Sequence, residues 1–503
     1  MGNMSATQKN RIHEERIVFA NEALERQLDK VKDAGFRLCY HMMPPAGWMN
    51  DPNGLIQWNG EYHLFYQHDP YQPKQGPMHW GHARSRDLVY WEHLPVALAP
   101  SEPYEYVEFG GGGCWSGSAV DDEGVLTLIY TGHVDGRDPE EVQCLATSTD
   151  GVHFSKNAAG PVIPGPPEAD CFGFRDPKVW KHGDVWYMVV GYGKDGLGKA
   201  LLYLSDDLRE WRYAGVATES DGTMGDMWEC PDLFPLGGEG RHVLIVSPMN
   251  MGATKTLYMT GDFDYESGRF HRRHHDRLDY GFDFYAPQTM IDSRGRRILF
   301  GWMNIWGARM PEQAEGWMGA MTIPRLLTLA EDGTLLMQPV PELADLRGKH
   351  TAVGRLGIDA DTVVNLPEIQ GDALEMIAIF QAATSDEAEF GLQVRCSEDG
   401  SECTEVKYRP ADGKLTMDRS RSGAGDGGVS EAFLSTMEDG RVKLHLFIDR
   451  SSVELFAGDG RVTITNRIYP DPSSNAVRLF ARKGAAVMEK LDVWQMKSIW
   501  PEE

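Results

Sequence analysis

The chain lacks the apolar stretch that a secretory signal needs near the N-terminus: residues 1–16 read MGNMSATQKNRIHEER. No apolar run approaches the ~18–20 residues that span a bilayer, which excludes a helical membrane anchor. Cysteine is sparse and unpatterned. Cys39, Cys114, Cys144, Cys171, Cys230, Cys396 and Cys403 form an odd set at irregular spacing, which argues for reduced thiols in the cytoplasm rather than a disulfide framework. There is no Cys-x-x-Cys and no His-Glu-x-x-His, so no transition-metal site is expected. Gly110-Gly111-Gly112-Gly113 ends without the Lys-Ser/Thr of a phosphate-binding loop. Positive charge is also short. Forty-nine Lys and Arg against 75 Asp and Glu leave a formal net charge of −26, which would repel a nucleic-acid backbone. The expectation is a cytoplasmic protein with no cofactor, no membrane contact and no nucleic-acid partner.

What is present is a long, β-patterned chain. Its 503 residues exceed one ordinary core and predict two domains. Residues about 8–35 predict a helix, with Ile17, Ala20, Ala23, Leu24, Leu28 and Val31 at helical spacing on a packing face. From 39 to 340, short aromatic and β-branched runs alternate with Gly, Asp, Asn and Pro turns, an all-β pattern. A repeat runs through it. Ser85-Arg86-Asp87-Leu88 with Trp91 recurs as Ser205-Asp206-Asp207-Leu208 with Trp211, each after an acidic-Pro opening and two strand-like runs. Openings at Asp51, Ser116, Asp176, Glu229 and Asp283 lie 53 to 65 residues apart, the spacing of propeller blades with long loops. Beyond Pro341, alternating runs such as Lys443–Asp449 and Ser452–Phe456 predict a β-sandwich. The expected order is a helical segment over 1–38, a five-bladed β-propeller over 39–340, a linker over 341–350 and a β-sandwich over 351–503. Arg419 to Gly428 reads as an exposed loop, and His271 to His275 as a solvated strand edge.

Three carboxylates stand in similar settings: Trp48-Met49-Asn50-Asp51-Pro52-Asn53-Gly54, Phe174-Arg175-Asp176-Pro177 and Trp228-Glu229-Cys230-Pro231-Asp232. Each is followed by Pro within two residues. Taken singly, Asp-Pro and Asn-Gly are turn dipeptides, Glu229 is an ordinary surface residue and Asp176 a strand-end ion pair. Taken together, they suit cleavage of a glycosidic bond, which needs carboxylates in different roles around one sugar.

The set resembles glycoside hydrolase family 32, the β-fructofuranosidases. Trp115-Ser116-Gly117-Ser118, Asp279 to Gln288 and Ile448 to Phe456 with Arg467-Ile468-Tyr469-Pro470 extend the resemblance over about residues 35–500. It implies a five-bladed propeller with a C-terminal sandwich. It implies that Asp51 is the nucleophile, ionised and so of low pKa, that Glu229 is the acid and then the base, and that Asp176 stabilises the charged sugar ring. Arg175 is expected to pair with one of these acids. Asn50, Gln67, Trp80, Trp115, Ser116 and Asp283 match sugar contacts, with Trp115 where the family often has Phe. Trp302 and Trp317 read as core. The implied reaction is retaining release of a terminal β-D-fructofuranosyl residue from sucrose, sucrose 6-phosphate or short fructo-oligosaccharides, without cofactor. Lys74 and His79 are the candidates for meeting a phosphate beside the leaving group. A fructosyltransferase, a non-catalytic fructan-binding protein and an arabinoside-cleaving relative on the same fold are the alternatives.

Overall fold

The computed structural model describes residues 5–106, 111–238, 240–252, 255–381 and 387–500, so Gly110 of the glycine run lies outside the described residues. Residues 39–340 build five sheets, one per expected blade. Their inner strands are Gly47–Trp58, Gly112–Asp122, Gly173–His182, Trp228–Pro235 and Tyr285–Ile291. Each inner strand packs beside the next and the fifth returns to the first, so the ring closes around a central channel. The short strand Trp317–Met318, which follows the second strand of the fifth blade, pairs in parallel with Gly47-Trp48 of the first and latches the closure.

The Ser-x-Asp-Leu repeat is the turn before the outermost strand. Asp87 Oδ1 accepts the N–H groups of Val89 and Tyr90, both at 2.9 Å, and Asp207 Oδ1 accepts those of Arg209 (2.8 Å) and Glu210 (2.9 Å). Leu88 and Leu208 take the left-handed conformation, φ 70° and 65°, which an ordinary residue avoids unless its surroundings hold it there. Here the indole N–H groups of Trp91 and Trp211 hold their carbonyls at 3.1 and 2.9 Å.

The inner strands share a second feature. The register with the neighbouring strand slips at Met49/Pro52, Trp115/Gly117, Val189/Gly191 (opposite Arg175 to Lys178), Glu229/Asp232 and Tyr285/Gln288. These are β-bulges, which re-aim side chains and interrupt the ladder. Pro52, Pro177, Pro231 and Pro287 lie in or beside them, where a missing N–H costs no ladder bond. The acidic-Pro pattern in the sequence is therefore the signature of the bulge in the first, third and fourth blades.

The helix Ala6–Val31 opens on a capping box between Ser5 and Gln8. Ala20, Leu24 and Val31 pack with Val96, Met303 and Trp317, whereas Leu28 is exposed, so the buried stripe is narrower than expected. It ends at Val31, four residues before the expected limit. The outer strand Arg269–Arg277 of the fourth blade carries the His-Arg run, largely exposed.

The connection to the second domain is the 3-10 helix Pro341–Leu346, whose Leu343 and Leu346 are buried. The strand Arg347–Val353 follows at once and pairs with Ala486–Met496, so the sandwich takes up the chain within the span 341–350. Two sheets of seven and six strands stack over a core that includes Phe380, Phe390, Leu392, Leu446 and Leu479. Arg419 corrects the exposed-loop reading. It lies in the strand Lys414–Arg421, is buried, and pairs with Asp283 of the propeller while its guanidinium sits 4.6 Å from the Phe282 ring centroid. Among the described residues no helix is long and apolar enough to cross a membrane, and the seven cysteines are unpaired.

Candidate active site

The bulges bring their residues to one end of the channel. In the third, fourth and fifth blades, the residues two places before Pro are Arg175, Glu229 and Tyr285. They form a chain around the channel. Arg175 donates to Glu229 Oε1 from Nε at 3.0 Å and from a terminal nitrogen at 2.8 Å, and the Tyr285 hydroxyl donates to Glu229 Oε2. The residues immediately before Pro are Asp51, Asp176, Cys230 and Ala286. Asp176, Cys230 and Ala286 have positive φ, at 66°, 48° and 48°. Strain of this kind concentrates where side-chain direction serves a site. The backbone groups released from the ladder find new partners. The Asp176 N–H donates to Thr131 Oγ1 (3.0 Å), the Ala286 N–H to Ser247 Oγ (3.1 Å) and the Cys230 N–H to Asp176 Oδ2 (2.9 Å).

Asp51 is fixed at both oxygens: Asn50 Nδ2 donates to Oδ1 at 3.0 Å and Ser116 Oγ to Oδ2 at 2.7 Å. Asn50 is itself held by the Trp48 indole N–H at 2.6 Å. The Cys230 thiol lies 3.6 Å from both Asp51 Oδ2 and Asp176 Oδ2. Burial pushes that thiol up, so it stays protonated between the two carboxylates.

The cavity has a volume of about 360 Å³ and is lined by Asn50, Asp51, Gln67, Trp115, Ser116, Arg175, Asp176 and Glu229 among the expected residues. Two expected contacts do not line it. Trp80 is fully buried on the third strand of the first blade and donates its indole N–H to the Trp115 carbonyl at 3.0 Å, bracing the wall from behind. Asp283 precedes its inner strand and turns to the sandwich, where it accepts from Arg419 and from the Arg467 N–H. Tyr285, two residues on, takes the place at the channel. Trp302 and Trp317 are buried core.

Sequence reading missed Tyr285, Glu141, Gln75, Met78, Met249 and Trp306. Tyr285 was legible by aligning blades on the bulge Pro. Glu141 was not, since it lies on the third strand of the second blade. It accepts from Arg175 at 3.0 Å and from the Phe174 N–H. Burial works against its charge, but Arg175 and His133 override burial and hold Glu141 at about 2. His133 in turn stacks on Trp115, with ring centroids 3.6 Å apart.

Glu141 and Glu229 thus share one guanidinium, whose charge also acts on Asp176. Burial pushes Asp51 up to about 6 against the hydrogen bonds from Ser116 and Asn50, and the charge of Glu229 adds to the rise. This corrects the expectation of a low pKa: the local hydrogen bonds do not offset the loss of water. Burial also raises Asp176, opposed by Arg175 and assisted by the charges of Glu229 and Asp51. His79 is buried, bonded through Nδ1 to the Pro77 carbonyl at 2.8 Å, and burial holds it at about 3, so it is uncharged at pH 7. Neither it nor Lys74 lines the cavity, where Arg175 is the one cationic residue among those described.

Comparison with known proteins places this geometry. The family model described as "Glycosyl hydrolases family 32 N-terminal domain" matches residues 41–339, and "Glycosyl hydrolases family 32 C terminal" matches residues 342–495. The chain is 41% identical to a sucrose-6-phosphate hydrolase of Zymomonas mobilis over 93% of this chain and 95% of that one. It is 38% identical to the raffinose invertase of Escherichia coli, covering 96% of this chain and 99% of that one. Among solved structures, a Bombyx mori GH32 β-fructofuranosidase mutant in complex with sucrose superimposes with a TM-score of 0.82 at 35% identity, covering 96% of this chain and 98% of that one. With both family models matched in order across nearly the whole chain, the protein belongs to glycosyl hydrolase family 32, the family of the β-fructofuranosidases.

Proposed function

We propose that this β-fructofuranosidase releases terminal β-D-fructofuranosyl residues from sucrose, its 6-phosphate or short fructo-oligosaccharides by double displacement. The observation that carries the reading is that Asp51, Asp176 and Glu229 line one cavity in three different surroundings. Asp51 is the nucleophile. Ser116 and Asn50 fix the plane of its carboxylate, so one oxygen is presented to the anomeric carbon. Glu229, oriented by Arg175 and Tyr285, donates a proton to the glycosidic oxygen as that bond breaks. Asp176 faces the positive charge that develops on the ring. Beside the esterified Asp51, proton donation has left Glu229 as a carboxylate. It then takes a proton from the water that frees fructose.

Early NMR spectra of the products test the mechanism. Fructose should first appear as the β-anomer from sucrose and from sucrose 6-phosphate. First appearance of the α-anomer would reject double displacement, and a predominance of fructosyl-sugar products at high sucrose would make the protein a transferase. The uncharged part of the lining, with Gln75, Met78, Met249 and Trp306, suits a neutral leaving group, and Arg175 is already committed to Glu141 and Glu229. Sucrose should therefore show a KM no higher than that of its 6-phosphate in the same series. The unpaired thiols support a cytoplasmic setting.

The pH dependence follows from Asp51. The nucleophile must be ionised, and its carboxyl is held at about 6. The acid limb of kcat/KM should fall through about pH 6, not near the ordinary carboxylate value of about 4. A Ser116→Ala variant loses a hydrogen bond to the charged form, so its limb should move to higher pH. A limb unmoved by that change would assign it to another group.

A further inference from the structure

The central channel has a second end. Leu55, Val120, Trp180, Phe234 and Met290, one from each inner strand, line a separate cavity of about 440 Å³. Each lies two or three residues beyond the bulge of its blade that ends at Pro52, Gly117, Lys178, Asp232 or Gln288, which is roughly 7–10 Å along a strand. The volume falls within the ~300–1,000 Å³ of small-molecule sites.

Much of this wall is apolar, yet it holds cations that differ in how they are matched. Lys178 is paired: its ammonium lies 3.1 Å from Asp232 and donates to the Thr289 carbonyl. Arg297 is not. Its guanidinium sits 4.5 Å from the Phe234 ring centroid, one terminal nitrogen reaches Thr289 Oγ1 at 3.4 Å, and Nε has no partner. Among the described residues no carboxylate lies within salt-bridge distance of Arg297. Asp121, the carboxylate in the lining, is engaged by the Gly124 N–H at 2.7 Å. At the rim, the exposed Lys181 lies 4.9 Å from the Trp186 ring centroid. In a chain of net charge −26, Arg297 and Lys178 thus share one carboxylate, Asp232, which reaches Arg297 only through its charge, and the buried Nε of the half-buried Arg297 is left without a partner beside the Trp180 indole. Burial depresses Arg297 from its ordinary value, but a guanidinium does not discharge near neutrality. Positive charge in excess of its carboxylate is costly where water is excluded, and a bound anion offsets that cost.

We propose that this second cavity is a binding site for a phosphate group, free or carried on a small sugar, with Arg297 as its forked donor and the Trp180 indole beside the sugar body. Guanidinium and phosphate oxygens match in geometry and charge, and a sugar ring stacks on an indole face. The site stands apart from the catalytic cavity, so an occupant is not a competitor of the substrate.

The test is calorimetric titration of the full chain at constant ionic strength with inorganic phosphate, glucose 6-phosphate and glucose. Glucose 6-phosphate should bind saturably and glucose should be silent. Phosphate binding as tightly as its sugar ester would identify the free anion as the ligand. Arg297→Gln should weaken binding tenfold or more while sucrose hydrolysis stays within twofold of wild type. Lys181→Gln, a surface change that the fold tolerates, should weaken it about threefold. No saturable heat from either phosphate, undiminished binding to both variants, or competitive inhibition of sucrose hydrolysis by the ligand would overturn the proposal.

Discussion

Asp51→Asn should lower turnover by roughly three or more decades and yet give a more heat-stable protein, because this carboxylate is costly to hold ionised in the fold. The amide keeps the shape and can still accept from Ser116, but it cannot attack the anomeric carbon. The stability gain follows from linkage. Asp51 titrates at about 6 in the folded protein, above its ordinary 3.8. Its ionised form is therefore disfavoured by folding, and stability is lost as pH rises from about 4 through 6. At pH 7 the loss is complete, on the order of 3 kcal/mol for a shift of about two units. Asn removes it, and for a chain of this length the rise in Tm is about 2–3 °C. The gain should vanish below pH 4, where the wild-type carboxyl is already neutral. Glu229→Ala provides the contrast. It should lose a comparable factor on sucrose but recover partly on a fructoside with an activated leaving group, for which proton donation matters less. Wild-type-like turnover in Asp51→Asn, or a Tm gain equal at pH 4 and pH 7, would remove Asp51 from the role.

The blades and their three acids were legible because each rests on a local rule. A bulge that carries a carboxylate tolerates Pro where a regular inner strand does not, so the acidic-Pro string recurs at blade spacing. The Ser-x-Asp-Leu turn is likewise closed within six residues. What the sequence hid depends on partners far along the chain. Asp283 and Arg419 were each read alone, one as a sugar contact and one as loop; they are 136 residues apart and bind each other. Trp80 was placed by its motif, but the face that it presents is set by Trp115 of the next blade. Asp51 was assigned a low pKa from its role, whereas its value follows from how far the cavity walls exclude water and from the charge of Glu229. Trp306 and Met249 sit in loops between strands, where periodicity gives no direction to a side chain.

A chain ending at Asp345 should fail to accumulate as soluble protein, although none of the three acids lies beyond that point. The reason is the charge buried between propeller and sandwich. Arg325 is fully buried and pairs with Asp279 of the propeller at 2.9 Å and with Glu454 of the sandwich at 2.5 Å. His41 bridges Asp449 and Glu454, each at 2.8 Å. Asp449 also caps the N–H groups of Cys39 and Tyr40, and Arg467 lies 3.3 Å from Glu312. Removing the sandwich leaves propeller groups without these partners and bares the apolar patch of Tyr40, Met42 and Leu343 that packs on Phe447, Phe456 and Met496. Breaking even one buried pair costs about 3–5 kcal/mol, a large share of the ~5–15 kcal/mol that holds a typical domain together. The same interface gives a graded test in the full chain. Burial pulls His41 down, but its bonds to Asp449 and Glu454 override this and hold it at about 9. Its contribution to stability is fully present below pH 6.5 and is lost as pH rises through about 9. His41→Gln should therefore lower Tm at pH 6.5 and flatten the decline between pH 7 and 9.5. A soluble, fully active fragment ending at Asp345, or an unchanged pH slope in His41→Gln, would show that the propeller does not depend on this interface.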